Sequence, residues 1–122
     1  MQKPKVLIVT PEAIIGLDLT NTLQNLGYAV CSVESSGKKA VKKIENEMLD
    51  LVLMDIVLKS EMDGIETANK IRSQSNIPVV YLASHVDDRF LKRAKTTEPF
   101  GFVVLPFQED ELNDVIESIS VI

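Results

Sequence analysis

Leu51-Val52-Leu53-Met54-Asp55-Ile56-Val57-Leu58 decides the fold: four apolar residues, a lone carboxylate, then three more apolar residues. An apolar run this short and without alternation fits a strand buried on both faces, as in a parallel sheet covered by helices on either side. Four comparable runs accompany it: Val6–Val9, Tyr28–Val33, Pro78–Leu82 and Gly101–Leu105. Their starts at residues 6, 28, 51, 78 and 101 leave room between each pair for one helix and two short loops. That is the rhythm of repeated βαβ units.

The intervening segments carry helical periodicity. Ile15, Leu19, Leu23 and Leu26 form one stripe, and Gly27 stands where a left-handed residue closes a helix. Ala40, Val41, Ile44 and Met48 are expected to face the core from a second helix, with Ser35 or Ser36 as N-cap. Ile65, Ala68 and Ile71 mark a third, opened by Asp63-Gly64-Ile65-Glu66 at capping-box spacing. Phe90, Leu91 and Ala94 mark a fourth, preceded by Asp87 and Asp88. Leu112, Val115, Ile116 and Ile119 mark a fifth, with Glu109, Asp110 and Glu111 in its first turn, where the helix dipole favours acids. Right-handed crossovers then place helices on both faces of one sheet. The expected architecture is a doubly wound five-stranded parallel α/β domain spanning residues 1–122.

Composition bounds the function. A net charge of −5 and a pI near 4.8 argue against direct nucleic-acid binding. The one dense basic stretch, Lys38, Lys39, Lys42 and Lys43, reads as a solvated helix face. No apolar stretch approaches the ~20 residues of a bilayer span. The single cysteine, Cys31, reads as a small strand hydrophobe and suits a reducing cytoplasm.

Open α/β sheets bind ligands beyond the carboxyl ends of their strands. After the first strand comes Thr10-Pro11-Glu12, with one hydroxyl and a proline that lacks a backbone donor. This is a poor phosphate cradle, which counts against a flavodoxin-like small-molecule binder. After the third strand stands Asp55. A carboxylate that merely caps a turn sits beside Gly, Asn or Pro, whereas Asp55 is followed by Ile56, Val57 and Leu58. His85, the only histidine, has no companions for a metal or phosphoryl role.

Leu51-Val-Leu-Met-Asp55-Ile, Met62-Asp-Gly-Ile-Glu66, Ile77-Pro-Val-Val-Tyr81 and Pro99-Phe-Gly-Phe-Val-Val-Leu-Pro-Phe107 together resemble a receiver domain of two-component signalling, over essentially the whole chain. The resemblance implies strand order 2-1-3-4-5, a flavodoxin-like receiver fold and a cytoplasmic setting. It implies that Asp55 takes a phosphoryl group from a phosphohistidine on a sensor histidine kinase, with no enzymatic activity beyond that self-phosphorylation. It further implies Mg²⁺ held by an acidic pair, by Asp55 and by the backbone carbonyl of Val57. Phe102 falls on the family's switch aromatic, for which a packed ring is the simpler reading, and Pro106 on its cis peptide bond. Homodimers built on the fourth and fifth helices are a family habit.

This sequence departs from the pattern at four positions. The acidic pair falls on Thr10 and Pro11, leaving Glu12 as the nearest acid. The hydroxyl that holds the phosphoryl oxygens falls on Ala83, and the lysine that does so on Leu105. Ser84, one residue late, and Lys59 are the candidates for rescue. Losing one preorganised charge-stabilising donor costs ~10²–10³ in rate. The departures therefore favour a pseudo-receiver, a phosphorylation-independent interaction module, over a phosphorylated one. A carboxylate freed of acidic neighbours is also expected to titrate more normally than one in an acidic cluster.

Overall fold

The computed structural model describes residues 4–58, 62–83, 88–97 and 99–120. Among them, strands and helices alternate along the chain: β1 Lys5–Val9, α1 Ala13–Asn25, β2 Ala29–Glu34, α2 Gly37–Asn46, β3 Leu51–Asp55, α3 Gly64–Gln74, β4 Val79–Ala83, α4 Asp88–Lys95, β5 Gly101–Val104 and α5 Glu109–Ser120. The strands form one parallel sheet in the order β2-β1-β3-β4-β5. The three apolar runs at Val6, Leu51 and Pro78 become β1, β3 and β4, the central strands, which explains their lack of alternation.

Alternation along each strand divides the core into two layers. Leu7, Val9, Val52, Met54, Val79 and Tyr81 meet Ala40 and Val41 of α2, Ile65, Ala68 and Ile71 of α3, and Ala94 of α4. Val6, Ile8, Leu51, Leu53, Val80, Leu82 and Val103 meet Leu19 and Leu23 of α1 and Leu112 and Ile116 of α5. Cys31 packs against the first layer as a small hydrophobe. Each layer contains one tyrosine. The Tyr81 hydroxyl lies 2.8 Å from Thr97 Oγ1, which in turn donates to the Ala94 carbonyl at 2.6 Å, tying the end of α4 to the sheet. The Tyr28 hydroxyl donates to Asn113 Oδ1 of α5 at 2.8 Å.

The local signals act as the residue types require. Ser36 caps α2 by accepting from the Lys39 N–H. Asp63 and Glu66 form a reciprocal capping box on α3, and Gly27 closes α1 at φ +95°. The Leu105–Pro106 bond is cis. Met48 is a correction: α2 ends at Asn46, and Met48 lies in the following loop with 91% of its surface exposed. The Glu47 cap turns the backbone to an extended conformation, which takes Met48 off the apolar stripe. Asp87 and His85 lie outside the described residues.

Candidate functional site

Asp55 is the last residue of β3, at the carboxyl end of the sheet, and is buried. The register pairs Val9 of β1 with Met54 of β3, so the next residue of each strand, Thr10 and Asp55, come side by side. Thr10 is buried too, and its hydroxyl donates to Asp55 Oδ2 at 3.2 Å. The same Thr10 oxygen accepts the Glu12 N–H at 3.1 Å. The other carboxylate oxygen, Oδ1, accepts the Val57 N–H at 3.1 Å. Both oxygens of Asp55 are thus held by donors of the chain itself.

Helix α3 closes the site from below. The Gly64 N–H donates to the Ile56 carbonyl at 2.9 Å. A Cβ at Gly64 would fall well inside van der Waals contact of the Asp55 carbonyl oxygen and within 2.8 Å of the Ile56 carbonyl oxygen. Only glycine admits this approach of helix to strand end.

Burial raises the Asp55 carboxyl above the usual carboxylate range. The hydrogen bonds from Val57 and Thr10 oppose that rise, and the Glu12 charge adds to it. Replacing acids by Thr10 and Pro11 reduces like-charge repulsion, but it leaves the carboxyl in a dry setting, where desolvation becomes the largest influence.

The remaining positions lie around the same end of the sheet, where the Leu105 N–H donates to the Ala83 carbonyl at 2.9 Å. Glu12 is exposed and stands at the N-cap of α1 without a side-chain capping bond. Val57 is 42% exposed. Ala83 packs into the layer under α2, α3 and α4, whereas Leu105 packs against the opposite layer under α1 and α5. The two positions expected to hold phosphoryl oxygens thus contribute apolar surface to different cores. Phe102 packs on Tyr81 with ring centroids 5.6 Å apart, as a packed aromatic would. Ser84 and Lys59 lie outside the described residues.

Sequence reading missed the Thr10 hydroxyl as a partner of Asp55. The signal was available: β1 and β3 are neighbours in the expected strand order, and Thr10 follows the first apolar run as Asp55 follows Met54 in the third. Among the described residues, no group of three or more His, Cys, Asp or Glu side chains is placed to hold a metal ion.

Known proteins share this fold. The family model of the response regulator receiver domain matches residues 6–117. The transcriptional regulatory protein PdtaR of Mycobacterium tuberculosis is 33% identical over 93% of this chain and 55% of its own length. The alkaline phosphatase synthesis transcriptional regulatory protein PhoP of Bacillus subtilis is 30% identical over 94% of this chain and 48% of its own. The chain thus spans about half the length of these curated relatives. Among solved structures, the signal receiver domain of a modulated diguanylate cyclase from Desulfovibrio desulfuricans G20 superposes with a TM-score of 0.92, at 34% identity over 97% of this chain and 94% of that one. With its strand order, its burial pattern and these likenesses in agreement, the chain belongs to the response-regulator receiver family, the signal-receiving domains of two-component phosphorelay systems.

Proposed function

We propose that residues 1–122 form one cytoplasmic receiver unit that passes its signal through protein contacts, with a sensor histidine kinase or another member of the same pathway, and without Mg²⁺-dependent phosphorylation of Asp55. The observation that carries this reading is the Thr10–Asp55 hydrogen bond. Phosphoryl transfer to a carboxylate needs a cation to neutralise the crowded oxygens. Mg²⁺ demands near-octahedral hard oxygens and takes one or two carboxylates besides phosphate and water.

The donor set here does not fit that ion. At the end of β1 stand a neutral hydroxyl, whose proton is directed at Asp55, and a proline with no side-chain donor atom. Glu12 faces solvent. Asp55 itself is buried, with both oxygens engaged. No helix among the described residues is long and apolar enough to cross a membrane, and the net charge of −5 disfavours direct DNA contact by this unit.

A second reading, with Asp55 as phosphoacceptor, draws on its place at the carboxyl end of β3 beside the half-exposed Val57. Amide NMR with beryllofluoride and Mg²⁺ separates the two. We expect no saturable shifts at millimolar ligand in wild type or Asp55→Asn. Saturable shifts around Asp55 and Phe102, absent in the Asn variant, would replace the first reading by the second.

A further inference from the structure

We infer that Thr10 is the positioning residue of the site: its hydroxyl relays the Glu12 amide at the start of α1 to Asp55. The inference deepens the cation-free reading above and rests on it.

The direction of the relay follows from atom counting. A threonine hydroxyl has one proton and accepts through its lone pairs. Thr10 Oγ1 accepts the Glu12 N–H at 3.1 Å, so its own proton remains to be donated, and it goes to Asp55 Oδ2 at 3.2 Å. The Glu12 amide is the N-cap N–H at the start of α1, where N–H groups lack partners within the helix. Thr10 therefore satisfies one such donor and turns it toward the carboxylate. The Thr10 backbone is fixed independently, because its N–H donates to the Glu34 carbonyl at 2.9 Å. With the Val57 N–H on Oδ1, Asp55 is oriented by two donors from two different segments, β1 and the loop after β3. Each replaces part of the water that burial removes.

The relay explains how Asp55 is kept in a buried setting with no ion pair to it among the described residues. A hydroxyl and an amide stabilise its charge locally, as hydrogen-bond donors to carboxylates do. It also makes Thr10 the residue that decides whether the crevice admits a cation. A carboxylate in its place would face Asp55 across a hydrogen-bond distance, and two carboxyls that close either share a proton or take a cation between them.

The test uses the ¹⁵N-labelled chain as wild type, Thr10→Ser, Thr10→Val and Thr10→Asp, with two readouts. Amide hydrogen exchange at Glu12 reports the relay itself. Exchange in Thr10→Ser should match wild type, and in Thr10→Val it should be about five- to tenfold faster, the loss of one net hydrogen bond. Unchanged exchange in Thr10→Val overturns the relay, and this outcome does not depend on any metal. Selective broadening of the Asp55 and Val57 amides by Mn²⁺ reports cation entry. It should be absent in wild type, Thr10→Ser and Thr10→Val. It should appear in Thr10→Asp, be reversed by excess Mg²⁺, and be lost in Thr10→Asp/Asp55→Asn. A folded Thr10→Asp that stays unbroadened overturns Thr10 as the determinant. Broadening in wild type instead overturns the cation-free reading, with the Glu12 exchange left to judge the relay.

Discussion

Substitution of Gly64 by alanine sets two physical effects against each other. Gly64 is the first residue of α3, and on helix propensity alone Ala replacing Gly stabilises by up to ~1 kcal/mol. The structure demands the opposite sign. The new methyl would overlap the Asp55 carbonyl oxygen and approach the Ile56 carbonyl oxygen to 2.8 Å. Both are main-chain atoms that cannot swing away as a flexible side chain would. Overpacking against such atoms costs ~3 kcal/mol, so the net loss is about 2 kcal/mol. An unfolding entropy of ~2.1 cal/mol/K per residue over 122 residues amounts to ~0.26 kcal/mol/K. The midpoint should therefore fall by ~8 °C. Thermal melts followed by circular dichroism measure this directly. Gly27→Ala is the control: nothing lies within 4 Å of its added Cβ, and its φ of +95° alone is strained. It should lose only ~1 kcal/mol, or ~4 °C. If Gly64→Ala melts at or above the wild-type temperature, α3 does not sit on the end of β3 as described, and the closure of the site fails with it.

Four further outcomes follow from the geometry. Because burial raises Asp55 above its unfolded value, the folded state binds more protons there, so its contribution to stability declines as pH rises from about 4 through the raised value; urea denaturation of wild type and Asp55→Asn across that range should give a difference that falls with pH, and a rising difference would refute it. Tyr81→Phe leaves the buried Thr97 hydroxyl without one partner and should cost ~1–2 kcal/mol in urea denaturation. Asp63→Ala removes the capping box of α3 and the 3.3 Å contact to Arg93, and should cost ~1 kcal/mol by the same method, nearly all of it insensitive to salt. Thermal melts in chelator and in millimolar Mg²⁺ should coincide for wild type; a clear upward shift with Mg²⁺ would speak for a cation at Asp55.

The fold was legible because its signals are local and redundant. The apolar runs of β1, β3 and β4 had no second interpretation once helical stripes were found between them, and Ser36, Asp63 and Gly27 punctuated the helices by mechanisms that need only neighbouring residues. Met48 failed because a periodic stripe does not reveal where a helix stops; the extended backbone at Glu47 decided that. The site was legible as a place but not as a set of contacts. Thr10 was read as an acid lost, since a comparison of residue types registers missing charge and not a hydroxyl's reach into the next strand. The rise in the Asp55 carboxyl's pKa was hidden for a related reason. Charge neighbours can be counted in a sequence, but the exclusion of water around a carboxyl arises only from packing. Ala83 and Leu105 were read only as a missing hydroxyl and a missing lysine; that they adjoin at the sheet end, the Leu105 N–H donating to the Ala83 carbonyl at 2.9 Å, while packing toward opposite layers, needed the strand register.

The placing of the two tyrosines, one in each layer, has a practical consequence. The chain has no tryptophan and only Tyr28 and Tyr81, so its tyrosine absorption and emission come from two chromophores on opposite sides of the sheet. Tyr28 is tied to α5 through Asn113, and Tyr81 to the end of α4 through Thr97. Tyr28→Phe and Tyr81→Phe therefore turn the unlabelled molecule into a pair of single-reporter optical probes, one for each side, able to show whether a docking partner disturbs one layer or both.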